Sequence, residues 1–260
     1  MDIAGAHVAI TGASRGLGAA FAHELHARGA TLSLIARDDD RLTAIGCLFE
    51  AHTIAGDLLD PSFVDSLVPL VEQNAPVDIW INNAGIERTG LVTDQSAQDL
   101  RDVLQLNLET PVVLTRAALQ AMADRGRGMI VNVSSVAMAT NTPRFATYGA
   151  SKSGLSAFTS TLRQELKGTP MHALTVEIGP VHTDMLRSLQ NSTVGPLFER
   201  YRRSGLSPVM KAERVAKALA DGIESDTAFV RLPRRSRFST ALTNVSRRLG
   251  DLAQTGVAHA

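Results

Sequence analysis

Ile10-Thr-Gly-Ala-Ser-Arg-Gly-Leu-Gly18, ITGASRGLG, joins a short apolar run, His7–Thr11, to a helical pattern that continues to about Arg28 and stops at Gly29. Its glycines fall at Gly12, Gly16 and Gly18, which does not fit the common G-x-G-x-x-G dinucleotide spacing. A strand, a glycine turn and a helix start in succession let a backbone approach a pyrophosphate. The amides of the helix N-terminus then point at its charge. A plain strand-to-helix turn can be spelled the same way, so residues elsewhere must decide.

Outward from this stretch, short apolar runs and helix-length segments alternate. Thr31–Ile35, Ala51–Ala55, Val77–Ile81, Gly128–Val133, His172–Glu177 and Thr227–Arg231 read as further strands, and helical patterns cover about 97–124, 148–167 and 211–224. Strands that are almost wholly apolar and separated by helices belong to a parallel sheet covered on both faces. The repeated crossover predicts an α/β fold, a single doubly wound Rossmann-type domain over residues 1–260 with about seven strands. The rhythm fails from about 185 to 210, where Gly195-Pro196, Ser204-Gly205 and Ser207-Pro208 act as breakers. A long irregular segment in a compact domain is commonly functional, and a lid over a site is expected there.

The chain has 260 residues, 26 basic and 26 acidic side chains and 44% apolar residues, so its charge gives no argument for nucleic acid or an acidic partner. Its single cysteine, Cys47, excludes an internal disulfide framework and suits a reducing compartment. The opening MDIAGAHVAITG shows no basic region followed by a long apolar core. No apolar run approaches the roughly 18–20 residues of a membrane span, so a cytoplasmic protein is expected. His23 and His26 lack the H-E-x-x-H spacing, because residue 27 is alanine, and no metal is expected.

The chemistry is carried by Thr147-Tyr-Gly-Ala-Ser-Lys152. Tyr148 and Lys152 are four residues apart near a predicted helix start, so their side chains share one face. A free phenol titrates near ~10, and a neighbouring ammonium is expected to bring it toward the working range. Such a pair is a candidate general acid and base. Taken alone it could equally be an incidental surface pair. Ser135 ends the fifth predicted strand, Asn82 the fourth, and Asn107 lies in a helical pattern, in Leu104-Gln-Leu-Asn-Leu108. Ligands of open parallel sheets bind outside the carboxyl ends of the strands, where Gly12, Asn82, Ser135 and Gly179 all fall.

With these residues in order, the sequence resembles the short-chain dehydrogenase/reductase family. T-G-x-x-x-G-x-G reads Thr11 to Gly18, N-N-A-G reads Asn82 to Gly85, and Y-x-x-x-K reads Tyr148 to Lys152. The resemblance runs from about residue 5 to 185 and less closely to about 232. It implies that Tyr148 exchanges the proton of a carbonyl or alcohol, and that Lys152 lowers the tyrosine pKa and holds the nicotinamide ribose. Ser135 would bond the substrate oxygen, and Asn107 would hold a water in a proton relay. The cofactor would lie against Gly12, Ser14, Arg15, Gly16, Leu17 and Gly18, then Arg37, Asp57 and Leu58. Asn83, Ala84 and Gly85, then Tyr148 and Lys152, then Gly179, Pro180, Val181 and Thr183 complete its implied surroundings. One departure is Ile178-Gly179-Pro180 where the family usually shows Pro-Gly.

NAD-binding folds place an acid at the end of the second strand. Here that strand ends Leu34-Ile-Ala-Arg37, with Ala36 in the acid's place. Arg15 and Arg37 are positioned to meet a 2′-phosphate, so NADP is the expected cofactor. Asp38, Asp39 and Asp40 follow at once; a shifted register would bring one to the ribose, and the alternative is that they open the next helix. Met138, Phe145, Met185, Leu186, Leu189 and Phe198 are expected round the substrate, an apolar wall suited to a hydrophobic ketone or alcohol. Arg144 and Arg187 either meet an acidic group of it or face water.

The tail from about 232 to 260 is a basic amphipathic extension, with Phe238, Leu242, Val245, Leu249 and Leu252 as an apolar stripe beside Arg247 and Arg248. Packing on its own subunit or a neighbour is favoured over contact with a membrane surface. The tail lacks the glycine-rich ending typical of the family's 3-oxoacyl carrier-protein reductases, which argues against that substrate. The resemblance further implies a small-molecule substrate and a homodimer or homotetramer, with no nucleic acid partner. A competing reading is an NADPH-bound regulatory or scaffold protein without turnover. The joint presence of Asn107, Ser135, Tyr148 and Lys152 argues against it.

Overall fold

The computed structural model describes residues 1–136, 142–190, 192, 194–195, 199 and 208–233. Seven parallel strands form one sheet: β1 (His7–Thr11), β2 (Thr31–Ala36), β3 (His52–Ala55), β4 (Ile79–Asn82), β5 (Gly128–Ser135), β6 (Met171–Ile178) and β7 (Phe229–Leu232). Their spatial order is β3-β2-β1-β4-β5-β6-β7. Eight α-helices are described: α1 (Gly16–Ala27), α2 (Asp39–Phe49), α3 (Pro61–Glu72), α4 (Ala97–Leu104), α5 (Thr110–Ala123), α6 (Ala146–Glu165), α7 (Asp184–Gln190) and α8 (Ala212–Glu224). The predicted doubly wound sheet is therefore present, and the strand order reverses between β1 and β4. That reversal opens a crevice above the carboxyl ends of these two strands.

The unbroken apolar spelling of the strands follows from cover on both faces. Val8, Ile10, Ile79, Ile81, Val131 and Leu174 pack into one cluster with Phe21 and Leu25 of α1 and Val215 and Leu219 of α8. The alternate residues Ala9, Ile35, Trp80 and Ile130 pack into a second with Val64, Leu67 and Val68 of α3 and Leu114 and Ala118 of α5. Arg28 fastens α1 to α8, donating to Glu24, Asp221 and Glu224 at 2.6, 2.7 and 2.6 Å.

Helix starts follow the local chemistry. Asp38 caps α2 by accepting from the Arg41 amide at 3.1 Å, Asp60 caps α3 ahead of Pro61, and Ser96 caps α4. The single helix predicted over 97–124 is instead α4, a π-helical turn over Gln105–Glu109, and α5. Pro111 explains the break: it has no amide to donate to the Asn107 carbonyl, and its ring would crowd that carbonyl in a regular helix. The widened turn holds Asn107 buried inside the protein.

The expected irregular lid is also corrected in part. Its first residues form α7, and Val181 bridges Met210. Most of 191–207, including Phe198, lies outside the described residues, as do Met138 and the predicted tail helix. Among the described residues no helix is long and apolar enough to cross a membrane.

Candidate active site

The glycine loop is held by close backbone contacts. Gly12 adopts φ +68°, in the left-handed region, and a Cβ there would lie 2.9 Å from the Cα of Ala84. A Cβ on Gly18 would lie 2.1 Å from the Gly12 carbonyl oxygen. Thr11 Oγ1 accepts the amides of Asn83 and Ala84 at 3.0 and 3.1 Å and donates to the Ile81 carbonyl at 3.2 Å. The Asn83 carboxamide donates back to the carbonyls of Thr11 and Gly12 at 2.9 and 3.2 Å. Two motifs seventy residues apart in sequence are thus one folded unit at the head of β1 and β4. Replacing Gly18 by alanine is expected to cost about 1–3 kcal/mol of stability through overpacking against backbone. Thermal unfolding of the variant checks this, and an unchanged Tm would contradict the tight contact.

The loop fits a dinucleotide phosphate. Arg15 gives α1 no side-chain cap, which leaves the first-turn amides for an anion. Thr183 comes to the same place: its methyl lies 3.3 Å from where a Gly16 Cβ would be. The turn after β6 is secured by Gly179 N–H donating to Leu232 O and Met210 N–H donating to Pro180 O, at 2.8 and 2.9 Å. At the other edge Ala36 is buried and Arg37 exposed. Arg37 has no ion-pair partner among the described residues. Arg15, 60% exposed, pairs with Asp184 at 3.5 Å. Asp38 is occupied by the Arg41 amide and guanidinium, at 3.1 and 3.3 Å, so the acidic triplet opens α2. Asp57 is exposed after β3 and accepts the Leu59 amide, with Leu58 buried beside it.

Ser135, Tyr148, Lys152 and Asn107 converge at the carboxyl ends of β4 and β5. Ser135 hydrogen-bonds Tyr148. Ser134 points away, donating to the Lys152 carbonyl at 3.0 Å and accepting from Ser156 at 2.8 Å, which separates the two adjacent serines by role. Lys152 is buried and donates through Nζ to the Val133 carbonyl at 3.0 Å. Asn107 clamps the main chain of Ile86, accepting its N–H at 2.9 Å and donating to its carbonyl at 2.8 Å. It also donates to Ser151, which in turn donates to the Tyr148 carbonyl, at 3.2 and 2.7 Å. Gly85 sits between them: a Cβ there would lie 2.9 Å from Asn107 Oδ1 and 3.5 Å from Lys152 Nζ.

The electrostatics reverse one expectation. Burial, the largest influence, pushes the Tyr148 phenol up to about 12; the Ser135 hydrogen bond pulls it down and Glu87 pushes it further up. The predicted lowering by Lys152 is absent. Burial itself brings the lysine down to about 8. Desolvation outweighs the neighbouring charge here.

Of the described substrate candidates, Phe145 stands edge-on to Tyr148 with centroids 6.2 Å apart. On α7, Met185 is 39% exposed, Leu189 half-buried and Leu186 buried. Arg187 pairs with Asp184 at 3.1 Å. His23 and His26 pack against the Phe49 ring. Sequence reasoning gave no role to Thr11 beyond its place in a motif. Neither Ser151 nor Glu87 stands out in the sequence as a site residue.

The sequence profile of the family described as short chain dehydrogenase matches residues 6–193. Dehydrogenase/reductase SDR family member 7B of Danio rerio is 34% identical over 227 residues, spanning 82% of this chain and 73% of that protein. Ketoacyl reductase HetN of a Nostoc strain is 31% identical over 261 residues, spanning 98% and 88%. Among solved structures, a variant of actinorhodin polyketide ketoreductase with NADPH superimposes with a TM-score of 0.79 at 27% identity, covering 88% of this chain and 95% of that one.

Proposed function

The chain belongs to the short-chain dehydrogenase family of oxidoreductases, and from that premise we propose that it is an NADP(H)-dependent enzyme acting on a carbonyl or secondary alcohol, with Tyr148 as general acid and base. The observation that carries the reading is the convergence of Ser135, Tyr148, Lys152 and Asn107 beside the glycine loop. When bound, the nicotinamide supplies or accepts the hydride. Ser135 donates a hydrogen bond to the substrate oxygen and orients it toward Tyr148. Tyr148 gives its proton to that oxygen in reduction and takes it back in oxidation. Lys152, fixed by its bond to the Val133 carbonyl, is placed to hold the nicotinamide ribose. Asn107 positions the pair through Ser151 and fixes the Ile86 backbone in front of it.

The choice of NADP is supported by Arg37, exposed where an acid would mark NAD, by Arg15 in the loop, and by Asp38 being committed to α2. Carbonyl reduction is supported by the ketoacyl and polyketide ketoreductases among the similar proteins. An apolar substrate portion is supported by Phe145 against Tyr148. The proposal includes one catalytic domain over residues 1–260, assembled as a homodimer or homotetramer in the cytoplasm. The test is an NADPH-oxidation screen over aldehydes, ketones, steroids and acyl ketones. Turnover of a carbonyl compound is expected, with NADPH preferred. Equal kcat/KM with NADH would remove the NADP part.

A further inference from the structure

Glu87 carries a carboxyl group that the cluster above does not use. Its Oε1 is buried and, among the described residues, accepts no hydrogen bond. A buried polar oxygen without a partner is unfavourable, and its presence at a site edge calls for a partner supplied from outside the chain. The backbone that delivers it is fixed, since Ile86 is held on both its N–H and its carbonyl by Asn107. Beyond it, the Gly90 amide donates to the Arg144 carbonyl at 3.1 Å, closing the 86–90 loop against the approach to α6. Glu87 is close enough to Tyr148 for its charge to act on the phenol.

The groups whose charge acts between them and Glu87 are Arg88 on its own loop and Tyr148 of α6, and Arg88 is itself paired with Asp99 at 3.2 Å. Burial pushes the Glu87 carboxyl up to about 7 although Arg88 pulls it down, so acid and carboxylate coexist near neutral pH. A hydroxyl group suits both forms, because it donates to a carboxylate and accepts from a carboxylic acid.

We infer that Glu87 recognises a hydroxyl group of the substrate adjacent to the carbon that reacts at Tyr148, selecting hydroxylated carbonyl compounds and vicinal diols over their unsubstituted counterparts. The inference rests on the oxidoreductase reading for the identity of the reacting carbon. It adds a polar contact to the expected apolar wall.

Calorimetric titration of trans-1,2-cyclohexanediol and of cyclohexanol into the protein with NADPH present tests it. The diol is expected to bind about tenfold more tightly than cyclohexanol, and Glu87→Leu to bring the two within about twofold. A ratio near one in the unaltered protein, or a ratio kept in Glu87→Leu, would overturn the inference. If Glu87→Leu does not fold, Glu87→Met gives the same decision. Reduction of cyclohexanone and 2-hydroxycyclohexanone is followed in parallel. Failure of the unaltered protein to reduce either counts against the oxidoreductase reading, while the binding ratio still decides the role of Glu87.

Discussion

Tyr148→Phe should lower kcat/KM for any carbonyl substrate by about 10²–10⁴-fold, the range of a positioned general acid. The substitution removes one hydroxyl and leaves the ring that packs edge-on to Phe145. The Tyr148 carbonyl still accepts from Ser151, and Lys152 still donates to Val133, so the start of α6 keeps its supports. NADPH affinity, read from protein fluorescence quenching or calorimetry, should therefore change by no more than about threefold, within the scale of one neutral hydrogen bond. The scaffold reading makes the opposite forecast. A protein that only binds the cofactor has no rate to lose, and normal turnover in Tyr148→Phe would refute the mechanism. Ser135 gives a second arm to the same experiment. Ser135→Ala leaves the proton donor in place and removes a bond to the substrate oxygen, so its loss should be smaller than that of Tyr148→Phe.

What could be read from the chain divides along a physical line. The sheet was legible because strands covered on both faces are spelled almost wholly in apolar residues, and His7–Thr11 and Thr31–Ile35 are of that kind. The glycine loop, N-N-A-G and the Tyr148–Lys152 pair were legible because backbone approach and helical spacing are local requirements. The interrupted helix at Gln105–Glu109 was not read, although Pro111 stood in the sequence, because the apolar period continues through it. The direction of the Tyr148 shift was misjudged for a deeper reason. Spacing reports which charges are neighbours, whereas desolvation depends on how the whole fold closes over them, and here desolvation dominates. Glu87 falls on the same side of that line: nothing in Gly85-Ile-Glu87 announces that a carboxylate oxygen will be buried without a partner.

The double variant Arg15→Ala/Arg37→Ala should reduce the preference for NADPH over NADH by about 10²-fold. A hydrogen bond to a charged group contributes about 1.5–3 kcal/mol, and each ~1.4 kcal/mol is a factor of ten. Two exposed guanidinium contacts to a 2′-phosphate belong at the lower end of that range, because water and salt screen them. The loss should fall almost wholly on KM for NADPH, leaving kcat and the kinetics with NADH close to those of the unaltered enzyme. Neither arginine touches the Ser135–Tyr148–Lys152 cluster, and both are solvent-exposed. The two positions should differ in their single variants. Among the described residues Arg37 has no competing ion pair, whereas Arg15 must leave Asp184 to reach a phosphate. Arg37→Ala should then carry the larger part of the change, and Asp184→Asn should strengthen NADPH binding by freeing Arg15. A double variant that keeps its NADPH preference would place the 2′-phosphate elsewhere. A rise in KM for NADH equal to that for NADPH would mean that the arginines hold the pyrophosphate or the loop, not the 2′-phosphate.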